Sequence, residues 1–167
     1  IPGAIFPRHV PVPLRTDFGD GDRENMPSSL PPTSGAPYGS LVSKVNDDGN
    51  EVAGLLSPDL PVPLATYTPW NARHPDMGAP DQPIGLTGGF GGSTFPFPAS
   101  RAEREASGDP RRSIEERYGT RTAYLEAVRE AAKKLAADRT ILDEDIDKSV
   151  TRAAGRWDVF TGGKLPD

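Results

Sequence analysis

The chain has 167 residues, enough for one domain, yet only 35% are hydrophobic and 19 prolines and 18 glycines interrupt it, so it is poorly supplied for a self-sufficient core. A net charge of -5, with no basic stripe and no interleaved aromatics, gives no reason to expect nucleic acid as a partner. The absence of cysteine excludes disulfides and thiolate metal sites while fitting either redox compartment, and no apolar run approaches the ~18 residues of a membrane span, so no membrane partner is expected. Nothing forms a signal-peptide core, and the start at Ile1 without Met predicts a processed or excised beginning.

Seventeen of the prolines and 13 of the glycines precede residue 100. The distribution predicts a Pro/Gly-rich strap over 1–99, a helical segment over 100–160 and a tail over 161–167. Between 1 and 39, prolines block helix and remove the donors a central strand needs. The interspersed Ile5, Phe6, Val10, Leu14 and Phe18 are too many for a solvated linker, so this part reads as an extended strap packed on a partner surface.

Leu41 to Val45 and Glu51 to Leu56 flank Asn46-Asp-Asp-Gly-Asn50, which predicts a β-hairpin at about 41–56, because Asp-Gly tolerates the positive φ of a tight turn. A lone hairpin is marginal in water and needs a body to dock on. Residues 57–99 return to irregular sequence rich in aromatics, which either plug a core or line a binding surface.

From Ser100 the pattern turns helical. Ser100-x-x-Glu103 and Ser113-x-x-Glu116 are capping boxes, and Gly108 and Gly119 stand where C-terminal caps belong, giving two short helices. Thr120 then caps a helix to about Ala137, with Leu125, Val128, Ala132 and Leu135 on one stripe and Glu126/Arg129 and Glu130/Lys134 as exposed pairs. Thr140-x-x-Asp143 opens a second long helix with Ile146, Val150, Ala153 and Trp157 as its stripe. The pair forms an antiparallel helical hairpin.

Motifs of chemistry are sparse. There is no Gly-x-Ser-x-Gly, and of the possible bases only His9 and His74 are present, both in Pro-rich sequence and both better read as surface or packing residues. Asp17, Asp20, Asp22 and Glu24 could form a calcium turn, though a solvated turn explains them better, and the acids at 143–147 suit a helix start. No catalytic residue, metal or cofactor is expected within the chain. The most site-like constellation is Tyr67-Thr-Pro-Trp-Asn71, whose Tyr67, Trp70 and Asn71 combine apolar rings with polar handles suited to a substrate pocket; the plainer reading has the rings anchor their loop.

The ordered set of Asp17-Phe-Gly19, Asp48-Gly-Asn-Glu-Val-Ala-Gly54, Val62-Pro-Leu-Ala-Thr-Tyr-Thr68, Trp70-Asn71, Ala106-Ser-Gly-Asp-Pro110, Ser113-Ile-Glu-Glu-Arg-Tyr118 and Arg156-Trp-Asp158 resembles the C-terminal region of large bacterial α/β-hydrolase domain-containing proteins. The likeness runs from Ile1 to about Asp158, and departs from the family at Pro69 and around Gly89 to Thr94. It implies a mixed α+β, irregular-rich piece of an α/β-hydrolase in which the nucleophile and histidine lie upstream. The chain is then expected to be a non-catalytic C-terminal chain or subunit of a serine ester hydrolase. Its partners would be a companion chain carrying Ser, His and acid, and a small-molecule ester. The alternatives are a non-enzymatic interaction protein using its helical hairpin, and a calcium-dependent module using Asp17 to Glu24.

Overall fold

The computed structural model describes residues 1–2, 12–19, 28–39, 41–72, 74, 76, 83–84 and 91–167. In chain order these carry β1 (Leu14–Asp17), β2 (Thr33–Pro37), β3 (Ala65–Thr68), β4 (Asn71–Ala72), β5 (Pro83–Ile84), β6 (Ser93–Pro96), α1 (Arg101–Ser107), α2 (Ile114–Tyr118), α3 (Arg121–Ala137) and α4 (Glu144–Thr161). The strands pair two by two, β1 with β2, β3 with β6 and β4 with β5. The chain divides into one unit of Ile1–Phe6, Ser43–Asn71 and Ile84–Asp167, and another of Pro7–Val42 and Ala72–Pro83.

The second unit contains a ladder where the proline spacing predicts only an extended strap. Leu14 faces Pro37, Thr16 faces Ser34 and Asp17 faces Thr33, antiparallel and with an irregularity between Leu14 and Thr16. Proline is tolerated because Pro13 precedes β1 and Pro37 ends β2, so neither removes a donor from the middle of the ladder. All nine strand residues are exposed. Asp17 Oδ1 accepts the Gly19 amide at 2.8 Å; Asp20, Asp22 and Glu24 of the candidate calcium turn lie outside the described residues.

The first unit holds the core, in which Val62, Leu64, Phe97, Ile114, Tyr124, Val128, Ala153 and Trp157 are all buried. α1 and α2 form where the local signals place them. Ser100 and Ser113 accept the amides of Glu103 and Glu116, Glu116 completes its capping box, and Gly108 adopts φ 68° at the end of α1. Thr120 caps α3 through the Ala123 amide. α3 ends in a Schellman motif, with Thr140 N–H bonded to the Leu135 carbonyl, Arg139 N–H to that of Ala136, and Arg139 itself left-handed at φ 58°.

Two details differ from the sequence reading. α4 opens at Glu144 after Asp143, which makes no side-chain cap; Asp145 Oδ2 instead reaches back to the Leu142 amide at 3.3 Å. Thr140 is spent on the end of α3, its hydroxyl donating to the Leu135 carbonyl at 2.9 Å. On α3 the ion pairs are Glu130 with Lys133 and Arg129 with Asp147, in place of Glu126/Arg129 and Glu130/Lys134. The second of these crosses to α4, and with Arg121 and Asp158 at the other end it marks the two helices as antiparallel. Between them Tyr124 stacks on Trp157 with centroids 5.3 Å apart, and Tyr118 meets Tyr124 edge-on at 5.0 Å.

The hairpin expected at 41–56 is present only as a short stub over 44–52, with the Val52 amide donating to the Lys44 carbonyl at 3.1 Å. Val45 and Glu51 make one isolated bridge, Asn46 N–H bonds the Asn50 carbonyl, and no strand extends either way. Gly49 supplies φ 81° and comes so close to Thr66 that a Cβ would stand 3.0 Å from its methyl. The turn is held by side chains to β3, so the flanking residues are not needed as a ladder; Leu41 and Val42 remain exposed, as do Val45 and Leu55.

Glu116 ties α1 to α2. Its Oε2 accepts from the Ser113 amide at 2.9 Å and hydroxyl at 2.8 Å, and from Arg104 Nε at 2.9 Å. The Ser113 amide and hydroxyl, then Arg104, hold its carboxyl down at about 2. Because the folded value lies below the ordinary 4.5, Glu116 contributes its full stabilisation above pH 4.5 and loses it as pH falls toward 2. Melting temperatures of the native chain and E116Q should therefore differ most near neutrality and converge through that acid window; a gap independent of pH would contradict it.

Candidate functional site

The two stretches with the most distinctive sequence, 63–73 and 100–119, fold onto one another. Arg111 is 5% exposed and places its guanidinium against β3 and β6. Nη1 donates to Thr66 Oγ1 at 2.8 Å and the Phe95 carbonyl at 2.9 Å, and Nη2 donates to the Pro96 carbonyl at 3.1 Å. Asp109, equally buried, takes Nε at 3.0 Å and Nη2 at 2.6 Å. Burial alone would raise the Asp109 pKa, but the bonds from Arg111 outweigh it and the carboxyl lies below its ordinary value. Arg117 sits 4.1 Å from the Phe97 ring centroid and clamps the Asp48 carboxylate, with Nη1 2.9 Å from Oδ2. Thr66 Oγ1 also donates to the Asp48 carbonyl, and the Tyr118 hydroxyl donates to the Pro63 carbonyl at 2.8 Å. These polar side chains satisfy one another, which makes them a structural joint.

Of the residues singled out as pocket lining, the fold brings two together and separates the third. Trp70 is half-buried, its ring 6.5 Å from Phe95. Asn71 is exposed and its Oδ1 accepts the Ser93 hydroxyl at 2.9 Å. Thr68 Oγ1 fixes the bend between strand and rim by donating to the Trp70 carbonyl at 2.6 Å and accepting the Ser93 amide at 3.3 Å. Gly92 permits this approach, since a Cβ there would lie 2.6 Å from the Thr68 carbonyl oxygen.

Tyr67 points elsewhere. Phe95 pairs with Thr66 across the ladder, so alternation along β3 puts Tyr67 on the opposite face of the pleat. Burial, and after it the Asp59 carboxylate, pushes the Tyr67 phenol above its usual value. Period-two alternation was the available signal for this separation, but it applies only once 65–68 is known to be a strand.

His74 is exposed; its Nδ1 accepts the Asp76 amide at 3.3 Å and lies 3.6 Å from Asp76 Oδ2. His9 lies outside the described residues. Among the described residues no cluster of three His, Asp or Glu could hold a metal ion, and no helix is long and apolar enough to cross a membrane. Concave surfaces among the described residues of the first unit include a cleft and a groove. A cleft of ≈ 350 Å³ beside Phe95, Phe97 and Phe160 has Asp109 and Arg111 in its wall, already paired with each other. A groove of ≈ 570 Å³ runs along α3 between Leu55, Leu56 and Val62 on one side and Ala127, Ala131 and Leu135 on the other. Neither is part of the Trp70 rim.

No curated protein and no solved structure matches the chain. A family model described as an alpha/beta hydrolase domain matches residues 18–151, a span containing both motif stretches, all of α3 and the first half of α4 up to Thr151. The chain belongs to this alpha/beta hydrolase domain family.

Proposed function

We propose that the chain is the non-catalytic C-terminal chain or subunit of a serine α/β-hydrolase acting on carboxylic esters. A companion chain would carry the Ser, His and acid; this chain would complete the fold and contribute the pocket rim. The observation that carries the reading is the family match over 18–151 in a chain that contains no Gly-x-Ser-x-Gly elbow. Surface features support it. The β1–β2 ladder is exposed at every residue, and a lone two-stranded ladder is marginal in water. Large apolar side chains also stay open, with Leu30 75% and Leu41 100% exposed.

In this reading the companion performs nucleophilic attack, forms the acyl-enzyme and stabilises the tetrahedral oxyanion. Trp70 offers an apolar wall and Asn71 a carboxamide that can orient an ester carbonyl, while Tyr67 anchors the ladder that presents them. The test is intact mass spectrometry of the native material before and after denaturation, followed by fluorophosphonate labelling and assay on a p-nitrophenyl ester. A stoichiometric companion should take the label, and this chain alone should show no turnover. Saturable, inhibitor-sensitive hydrolysis by the purified chain would sink the proposal.

The groove along α3 favours a second reading, a non-enzymatic interaction protein that binds through its helical hairpin. A lone unlabelled chain of 17.8 kDa with a cooperative melt would move that reading to first place.

A further inference from the structure

The outer edge of β3 is closed by one side chain. The Phe97 amide bonds the Leu64 carbonyl, so the register of β3 against β6 turns the backbone groups of Thr66 and Thr68 inward and those of Ala65 and Tyr67 outward. Asn50 meets these outward groups. It is fully buried, its Nδ2 donates to the Ala65 carbonyl at 2.9 Å, and its Oδ1 accepts the Tyr67 amide at 2.8 Å. A single carboxamide thus presents the donor and acceptor that the peptide group of a third strand would present. Its own place is set twice. The Asn50 amide donates to Asn46 Oδ1 at 3.0 Å, and the neighbouring Asp48 is clamped by Arg117.

We propose that Asn50 is the positioning residue of the substrate-facing rim, fixing β3 and thereby the stance of Trp70 and Asn71. The inference rests on reading this segment as a pocket rim. Displacement at Tyr67 reaches Trp70 within three residues, because Thr68 Oγ1 joins the Trp70 carbonyl to the Ser93 amide. Only Asn fits the role at this length. Asp loses the donor to Ala65 and buries a charge, Ser is too short to reach both backbone groups, and Gln overshoots by a methylene.

The test compares N50D and N50S with the native protein in the purified hydrolase containing this chain and its companion. Two readouts are needed: kinetics on a p-nitrophenyl ester, and fluorine NMR of the fluorotryptophan-labelled chain, its two signals assigned with Trp70→Phe. The expected result is a KM raised about fivefold, the scale of one lost hydrogen bond, with kcat little changed and the Trp70 signal shifted while that of Trp157 stays in place. A lowered melting temperature with unchanged KM and an unmoved Trp70 signal would reduce Asn50 to a packing residue and overturn the inference. Should both variants fail to fold, N46A keeps the Asn50 carboxamide but removes its support; it should shift the Trp70 signal in the same direction and less, and no shift overturns the inference. Failure of the underlying reading looks different: Trp70→Ala would then leave KM unchanged in the otherwise native enzyme, which removes the rim whatever Asn50 does to the fluorine signal.

Discussion

Replacing Arg111 by alanine should destabilise the chain by about 3–5 kcal/mol, read as a fall in the urea midpoint of unfolding. The magnitude follows from what remains. Asp109 is 5% exposed, and without Arg111 it would be a buried carboxylate lacking its counter-charge, while the Phe95 and Pro96 carbonyls and Thr66 each lose the hydrogen bond that Arg111 donates. R111K should recover only part of the loss, because an ammonium cannot reproduce the planar fork that meets Asp109 twice. Replacing the pair together, by Met at 111 and Leu at 109, should cost less than R111A alone, since it removes both charges. A loss below ~1 kcal/mol for R111A, the scale of an exposed pair, would mean that the joint is not a buried network.

Trp157→Ala should cost about as much, roughly 3–5 kcal/mol, by leaving a cavity between the long helices. Trp157 is 2% exposed and stacked on Tyr124, itself 1% exposed. A double-mutant cycle with Tyr124→Leu should show a coupling of about 0.5–1.5 kcal/mol for the ring pair. Val159→Ala, two residues along the same helix but 75% exposed, is the matched control and should stay within about 0.5 kcal/mol of the native chain. Equal losses at 157 and 159 would place the hairpin core somewhere other than the Tyr124 and Trp157 stripe.

The helical third of the molecule was legible because its determinants are local. Ser100, Ser113 and Thr120 each announce a helix within four residues of the amides they cap, and the stripes through Val128, Ala132, Ala153 and Trp157 repeat at helical spacing. Family resemblance rested on short motifs from segments that proved to touch: Arg111 and Arg117 from one stretch meet Thr66 and Asp48 from others. What those motifs do was not legible, since their spacing gives no sign that the charges neutralise each other inside the fold.

The strands show the opposite case. Ala65–Thr68 and Ser93–Pro96 pair across an intervening stretch rich in Pro and Gly, and Pro96 is tolerated because it lies on the outer edge with its carbonyl taken by Arg111. Around residue 50 the sequence correctly marked a turn, yet no local signal shows that the Asn50 carboxamide would replace a neighbouring strand. The same gap governs the candidate site: Tyr67, Trp70 and Asn71 are adjacent in the chain, and only the pleat of β3 sends Tyr67 to one face and the Trp70 rim to the other. By itself the sequence determined the composition, the helices, the turn at Gly49 and the family. Tertiary structure alone decided the strand pairing, the buried ion pairs and which side chains share a face, because those depend on contacts between segments that local propensity does not encode.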